Sequence, residues 1–411
     1  MWALSSHNFP LAYMLMGPAW RVVDARLEEA ARISGARGWQ VALRVTLPVL
    51  RPAMLSTLLL LFVRGIESFE VPRIIGMPAH IDVFTTEIQD ATSTLPPRFG
   101  VAGALSMTLL ALCLVSIYFY RRATRTADAF ATIGGKAYFA APARIGRWRW
   151  PVGIATLLLF AILLGLPLFT LAWQSLFHNV TPPSLGAAAG GSLENYRYLF
   201  AYPVFLEAAG DSLVLGIMAA SFVVALTFVL AFLAQRASPR TAWLIDALVF
   251  APVAIPSVIV GAAILFAYLM LPIPVYNTLW ILLIAYATLY LPYGMRFASG
   301  GLAQIHRELA EVAAMSGAGL VQIFRRVLLP LLAPMLIAAW LYIFVLVVRE
   351  LAASIFLAGP KTHVLATVGL TLWEGGGSIG AVCALGVLQI VPLILLVMLM
   401  RRLERAVSPA L

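Results

Sequence analysis

The chain has 411 residues, of which 62% are hydrophobic and only 11% charged, with a mean hydropathy of +0.94. That composition excludes an ordinary water-soluble domain and places the chain in a bilayer. A formal net charge of +10 raises the question of nucleic acid, but the distribution of the basic residues answers it differently.

Taken in chain order, apolar runs long enough to cross the hydrocarbon core lie at 48–63, 101–120, 150–173, 212–234, 244–271, 275–296, 329–348 and 380–400. A shorter one, with Pro10 in it, fills 2–20. The prediction is an all-α polytopic bundle of about nine transmembrane helices. The start lacks the basic region, short apolar core and cleavage site of a secretory signal, so the first run is expected to be a helix like the others. Cys113 and Cys383 both lie inside apolar runs, far apart in sequence, which favours packing over a disulfide or metal role.

Basic residues accumulate in cytoplasmic loops. Here 22 of the 28 Lys and Arg fall at 21–51, 121–149, 236–240, 296–326 and 401–405, on one side of the predicted membrane. The opposite loops hold Arg73, Arg98, Arg197 and Lys361, and Arg64 and Arg349 fall at span ends. The positive charge therefore reads as membrane topology, with no nucleic-acid partner.

Two polar islands interrupt the apolar pattern. The stretch 27–52, LEEAARISGARGWQVALRVTLPVLRP, overlays 309–334 at a shift of 282, with 13 identities over 26 positions. Glu29/Glu311, Ala31/Ala313, Ser34/Ser316, Gly35/Gly317, Arg44/Arg326 and Pro48/Pro330 are among them. A match at fixed period marks an internal repeat. Six predicted spans separate the copies, an even number, so both face one compartment, and the charge count says cytoplasm. Each copy reads as two short helices around a glycine turn, with Pro48 or Pro330 opening the next span, where a missing N–H costs little. A lone copy could simply cap the bilayer, whereas two copies on one face fit a partner with two equivalent sockets.

The pattern Glu-x-Ala-x-x-x-x-Gly followed by Leu-Pro resembles the EAA loop of ATP-binding cassette importer permeases, the binding-protein-dependent inner-membrane components. The resemblance implies a coupling helix at each copy, made by Glu29, Ala31 and Gly35 and by Glu311, Ala313 and Gly317, with Pro48 and Pro330 at the loop exits. It also implies a cytoplasmic ATPase dimer, a periplasmic substrate-binding protein, a bacterial inner-membrane location, and ATP used by the partner, with no cofactor in this chain. The second copy departs from the family's double alanine, reading Glu311-Val312-Ala313.

Two such loops in one chain look like fused double permeases. The expected organisation is an incomplete first repeat at 1–122, a basic cytoplasmic linker at 123–149 and a complete six-helix repeat at 150–411. The first repeat looks as if it lacks its opening helices, since Pro10 matches Pro292 at the same shift of 282. The run 349–362, RELAASIFLAGPKT, is similar to ferric-iron permeases. Iron is therefore the expected substrate, with thiamine, a polyamine or another small solute as alternatives.

Glu67 aligns with Glu350 at a shift of 283, each near the outer end of the helix that follows a loop. Ionisable residues at membrane depth line a path or pair with one another, and Arg64 and Arg349 are the partners at hand. The residues leave the choice between pathway and bracing open. No phosphate-binding Gly-x-x-x-x-Gly-Lys-[Ser/Thr] run occurs, so energy is expected from a partner. The five histidines, His7, His80, His178, His306 and His363, lack metal-ligand spacing, and no hydrolase motif is present, which disfavours an embedded enzyme. An ion-driven carrier would explain a repeat but not a duplicated cytoplasmic loop.

Overall fold

The computed structural model describes residues 2–23, 25–128, 146–271, 275, 277–302, 312, 315–317, 319–375 and 377–407. Among these residues every regular element is helical. The chain divides into two units, Met1–Leu168 and Phe169–Leu411. The division falls inside a continuous helical span, later than the basic linker expected at 123–149.

In the first unit, α1 (Trp2–Val22) leads to the short amphipathic α2 (Ala25–Ile33) and then to α3 (Gly38–Glu67), α4 (Phe84–Ser93), α5 (Phe99–Asp128) and α6 (Arg149–Gln174). α1 packs on α3, and α3 and α4 pack on α5. The unit's buried side chains include Leu50, Val63, Phe69, Ile88, Leu109 and Cys113. Arg73, in a loop read as outer, is buried, and its guanidinium meets Asp90 at 2.7 Å. The opening twelve residues of α6 bury none of their side chains, and Leu157 is 71% exposed, the surface of a helix meant for lipid.

The second unit contains α7 (Glu194–Ala201), α8 (Phe205–Arg236), α9 (Pro239–Phe250), α10 (Ser257–Met270), α11 (Leu279–Leu302), α12 (Phe324–Val348), α13 (Leu365–Glu374) and α14 (Ile379–Val407). α8, α11 and α12 pack on one another and form its centre. On the loop side, Phe228, Val249, Met295, Leu302, Ile323, Leu328 and Leu332 interlock and seat the second polar island.

Among the described residues seven helices are long and apolar enough to cross a membrane, and a bent pair makes an eighth if it is counted as one span. The ninth expected run is the helix α1. The run expected to cross at 244–271 is a bent pair, in which Pro239–Ala254 and Ser257–Met270 meet at 103°. Pro256 forces Ile255 out of helical geometry, to φ −112 and ψ 118, and a proline at that point cannot close the preceding turn.

Prolines shape the helices a second way. Four π-helical turns, Ala42–Thr46, Pro72–Gly76, Ala161–Gly165 and Phe324–Leu328, each have a proline two residues past their last residue: Pro48, Pro78, Pro167 and Pro330. In an α-helix the proline ring collides with the carbonyl four residues back, and a turn widened by one residue moves that carbonyl aside. Pro52, Pro292, Pro334 and Pro392 sit inside helices without such a turn, so proline permits the widening but does not dictate it.

Candidate functional site

The first island forms the expected helix, turn and helix. α2, ARLEEAARI, has Glu28 in its first turn and Arg32 in its last, which complements the helix dipole. It ends at Gly35, whose φ of +85 is left-handed. The Gly35 N–H donates to the Arg32 carbonyl at 2.9 Å and the Ala36 N–H to the Ala31 carbonyl at 3.0 Å, the two bonds of a Schellman cap. Ser34 adds its hydroxyl to the Ala30 carbonyl at 2.9 Å. The next helix is capped by the Gln40 side chain, which accepts from the Arg37 N–H at 2.8 Å.

The second island repeats three of these features 282 residues on. Gly317 has φ +83, the Ser316 hydroxyl donates to the Val312 carbonyl at 2.9 Å, and the Gln322 side chain accepts from the Gly319 N–H at 3.1 Å. Both islands then enter their span through a π turn, in which the Leu47 N–H reaches the Ala42 carbonyl and the Leu329 N–H the Phe324 carbonyl. Pro48 and Pro330 therefore lie two residues past the end of a π turn, inside a helix already under way. Glu311 and Ala313, with residues 303–311 generally, lie outside the described residues.

Glu29 is exposed and Ala31 half-buried. Their neighbour Glu28 is occupied, because the Thr46 hydroxyl donates to its carboxyl at 2.6 Å and ties α2 to α3. Two apolar residues stand out beside the glycines: Ile33 is 88% exposed and its repeat counterpart Met315 is 81% exposed. Sequence reading missed both, along with the Gln40 and Gln322 caps. The signal available was their matched placement in the two copies.

At the far end of α3, Arg64 meets Glu67 at 3.8 Å, the intrahelical pair expected from the spacing. Arg349 is exposed. Glu350 has a partner that spacing did not reveal: one carboxyl oxygen accepts the Tyr290 hydroxyl at 2.6 Å and the other accepts the Ala353 N–H at 3.1 Å. Among the described residues no cluster of three His, Cys, Asp or Glu could hold a metal ion.

Residues 2–125 and 212–411 match the family described as binding-protein-dependent transport system inner membrane component. The chain belongs to this family. This permease is therefore an inner-membrane protein. It is 25% identical over 396 residues to the ferric transport system permease protein FbpB of Actinobacillus pleuropneumoniae, which covers 95% of this chain and 56% of the relative. An FbpB protein of Haemophilus influenzae is 25% identical over 363 residues, 86% of this chain and 55% of the relative. The permease thus spans about half the length of these curated relatives. A Salmonella paratyphi A protein named for 2-aminoethylphosphonate transport, PhnV, is 28% identical over 257 residues, 62% of this chain and 94% of the relative. Among solved structures, a bacterial ABC transporter that imports the acidic polysaccharide alginate aligns with a TM-score of 0.51 at 18% identity, covering 63% of this chain and 95% of that one. That likeness shows the fold.

Proposed function

We propose that this permease carries its substrate across the inner membrane by alternating access, driven by a cytoplasmic ATPase dimer that seats one subunit under each polar island. The observation that carries the proposal is the shared geometry of the islands: two left-handed glycines, two glutamine caps and two π turns at a single shift, with an exposed aliphatic residue beside each glycine. An apolar side chain bare to water on a charged loop has a use where a partner pocket covers it. Glu29 would sit beside Ile33 at the docked surface, and Glu311 is its counterpart in the repeat. ATP is hydrolysed by the partner, and a periplasmic binding protein delivers the substrate. Residues 1–122 and 150–411 act as the two repeats.

Ferric iron is the favoured substrate, supported by the ferric relatives and by the run 349–362. The PhnV relative keeps an organic phosphonate in view as a second reading. For Arg64, Glu67, Arg349 and Glu350 the bracing role is better supported than pathway lining, because Glu67 is held by Arg64 and Glu350 by Tyr290 and Ala353.

The test is co-purification with the ATPase and measurement of ATP hydrolysis on addition of binding protein loaded with ferric iron. Stimulation in wild type that a Glu29→Ala/Glu311→Ala double variant removes is the expected result. A complex that forms but ignores iron would discard the substrate, and no complex would discard the coupling assignment.

A further inference from the structure

We infer that Tyr290 and Glu350, together with Tyr286 and Ser354, clasp the two helices that flank the second island, so that a push on the island reaches their far ends as one rigid tilt. The inference rests on the coupling reading above. α12 runs out of the island and α11 ends at Leu302, ahead of it in sequence, so a displacement of the island's exit passes directly into α12. Two helices move as one body only if they are joined away from the point of force as well as near it. Near the island they are joined by the packing of Leu302 with Leu328 and Leu332.

The far join is polar. α12 ends at Arg349, whose φ of −99 and ψ of 0 are no longer helical, and the chain turns into Leu351, Ala352, Ala353 and Ser354, all buried. Non-helical backbone among membrane spans survives where protein groups satisfy its N–H and C=O. Glu350 satisfies the Ala353 N–H at 3.1 Å and receives the Tyr290 hydroxyl at 2.6 Å. That hydroxyl also lies 3.3 Å from the Leu346 carbonyl in the last full turn of α12. Ser354 donates to the Glu350 carbonyl at 2.5 Å, and the Tyr286 and Ser354 hydroxyls are 2.5 Å apart. Two tyrosines one turn apart on α11 thus hold both the end of α12 and the segment after it.

Packing fixes the clasp from two more directions. The rings of Tyr286, Tyr290, Tyr293 and Tyr342 follow one another at 6.2, 6.2 and 5.9 Å, carrying the α11 to α12 contact toward the island. On the other side Gly261 of α10 lies so close that a Cβ there would stand 2.9 Å from the Ala353 Cα. At the shift of 282 the first repeat has Leu4 and Asn8 where Tyr286 and Tyr290 stand, and Asn8 donates to the Leu4 carbonyl of its own helix.

These roles separate by chemistry. Glu350→Gln keeps both contacts, since its amide oxygen can accept the Ala353 N–H while its NH2 donates to the Tyr290 oxygen and the Tyr290 hydroxyl turns to Leu346. Tyr290→Phe keeps the ring and loses the bonds. If these are positioning residues, Tyr290→Phe is the damaging change and Glu350→Gln the mild one. A carboxylate that serves a passing cation gives the reverse.

The experiment uses the full chain with its ATPase in proteoliposomes, with iron-loaded binding protein, and reads uptake and ATP hydrolysis side by side. Tyr290→Phe and Glu350→Ala are each expected to lose about tenfold in uptake per ATP, the size of one lost charged hydrogen bond. Hydrolysis should continue, the double variant should be no worse than either single one, and Glu350→Gln should stay near wild type. If Tyr290→Phe does not assemble, Tyr286→Phe is read in its place. Normal uptake per ATP in the tyrosine variants overturns the clasp, as does failure of Glu350→Gln alone. A wild type that forms no complex with the ATPase overturns the coupling reading beneath it.

Discussion

Gly35 and Gly317 are the positions where one side chain decides whether a loop exists. Each sits in open space, with nothing within 4 Å of a built Cβ, so crowding is not the constraint; φ of +85 and +83 is. A left-handed backbone costs an L-residue about 1 to 2 kcal/mol, least for asparagine and most for β-branched side chains. Gly317→Val is therefore expected to abolish uptake while reaching the membrane in normal amounts, and Gly317→Asn to retain a substantial part of it. Uptake in Gly317→Val equal to wild type at equal expression would show that the turn is dispensable. If Met315 docks in the ATPase as proposed, Met315→Asp removes an apolar contact worth about 1.5 to 3 kcal/mol when buried, so the ATPase complex should weaken at least tenfold in a titration, with the insertion level unchanged. At this scale the sequence exposed the Glu, Ala and Gly positions because they recur at a fixed shift. It concealed Tyr290, whose partner is 60 residues away on another helix with no local spacing to announce it.

Elements are where periodicity informs and misleads by turns. The apolar runs locate the spans to within a few residues, because burial in lipid demands an unbroken apolar length. Length alone says nothing of direction, so the 103° break at Pro256 reads in the sequence only as a proline-kinked span. The π turns are equally hidden, since a widened turn keeps the same residues apolar. Their link to proline can be tested. Pro330→Ala removes the ring that the Phe324–Leu328 turn makes room for. The turn is then expected to tighten to α geometry, which rotates everything on its island side by about 100°. Phe324, whose ring lies 4.6 Å from that of Phe228, is a reporter of this rotation. Cysteines at 228 and 324 should cross-link with a short thiol reagent in the parent and fail to do so with Pro330→Ala, while uptake falls. Retention of the cross-link would mean that the π turn is set by the packing around it and not by the proline.

For the molecule as a whole, the constraint is parity. Five unbroken spans lie between the islands: Gly38–Glu67, Phe99–Phe119, Arg149–Gln174, Phe205–Arg236 and Leu279–Leu302. Five crossings would put the islands on opposite sides of the membrane, where one ATPase dimer could not reach both. If one ATPase dimer serves both islands, as proposed, the broken pair crosses as a sixth span despite its bend, entering near Arg236 and Arg240 on the basic side. Basic residues concentrate in cytoplasmic loops whatever the shape of the helices between them, so the charge count and the parity requirement are independent and agree. Single cysteines at Ser34, Ser316 and Ser184, in a background with Cys113 and Cys383 replaced, convert this into labelling by an impermeant maleimide. All three positions are exposed. Position 184 is expected to label in intact spheroplasts, and positions 34 and 316 only after permeabilisation. If 34 and 316 label from opposite sides, the broken pair turns back within the membrane, and the two islands cannot be twin sockets for one partner.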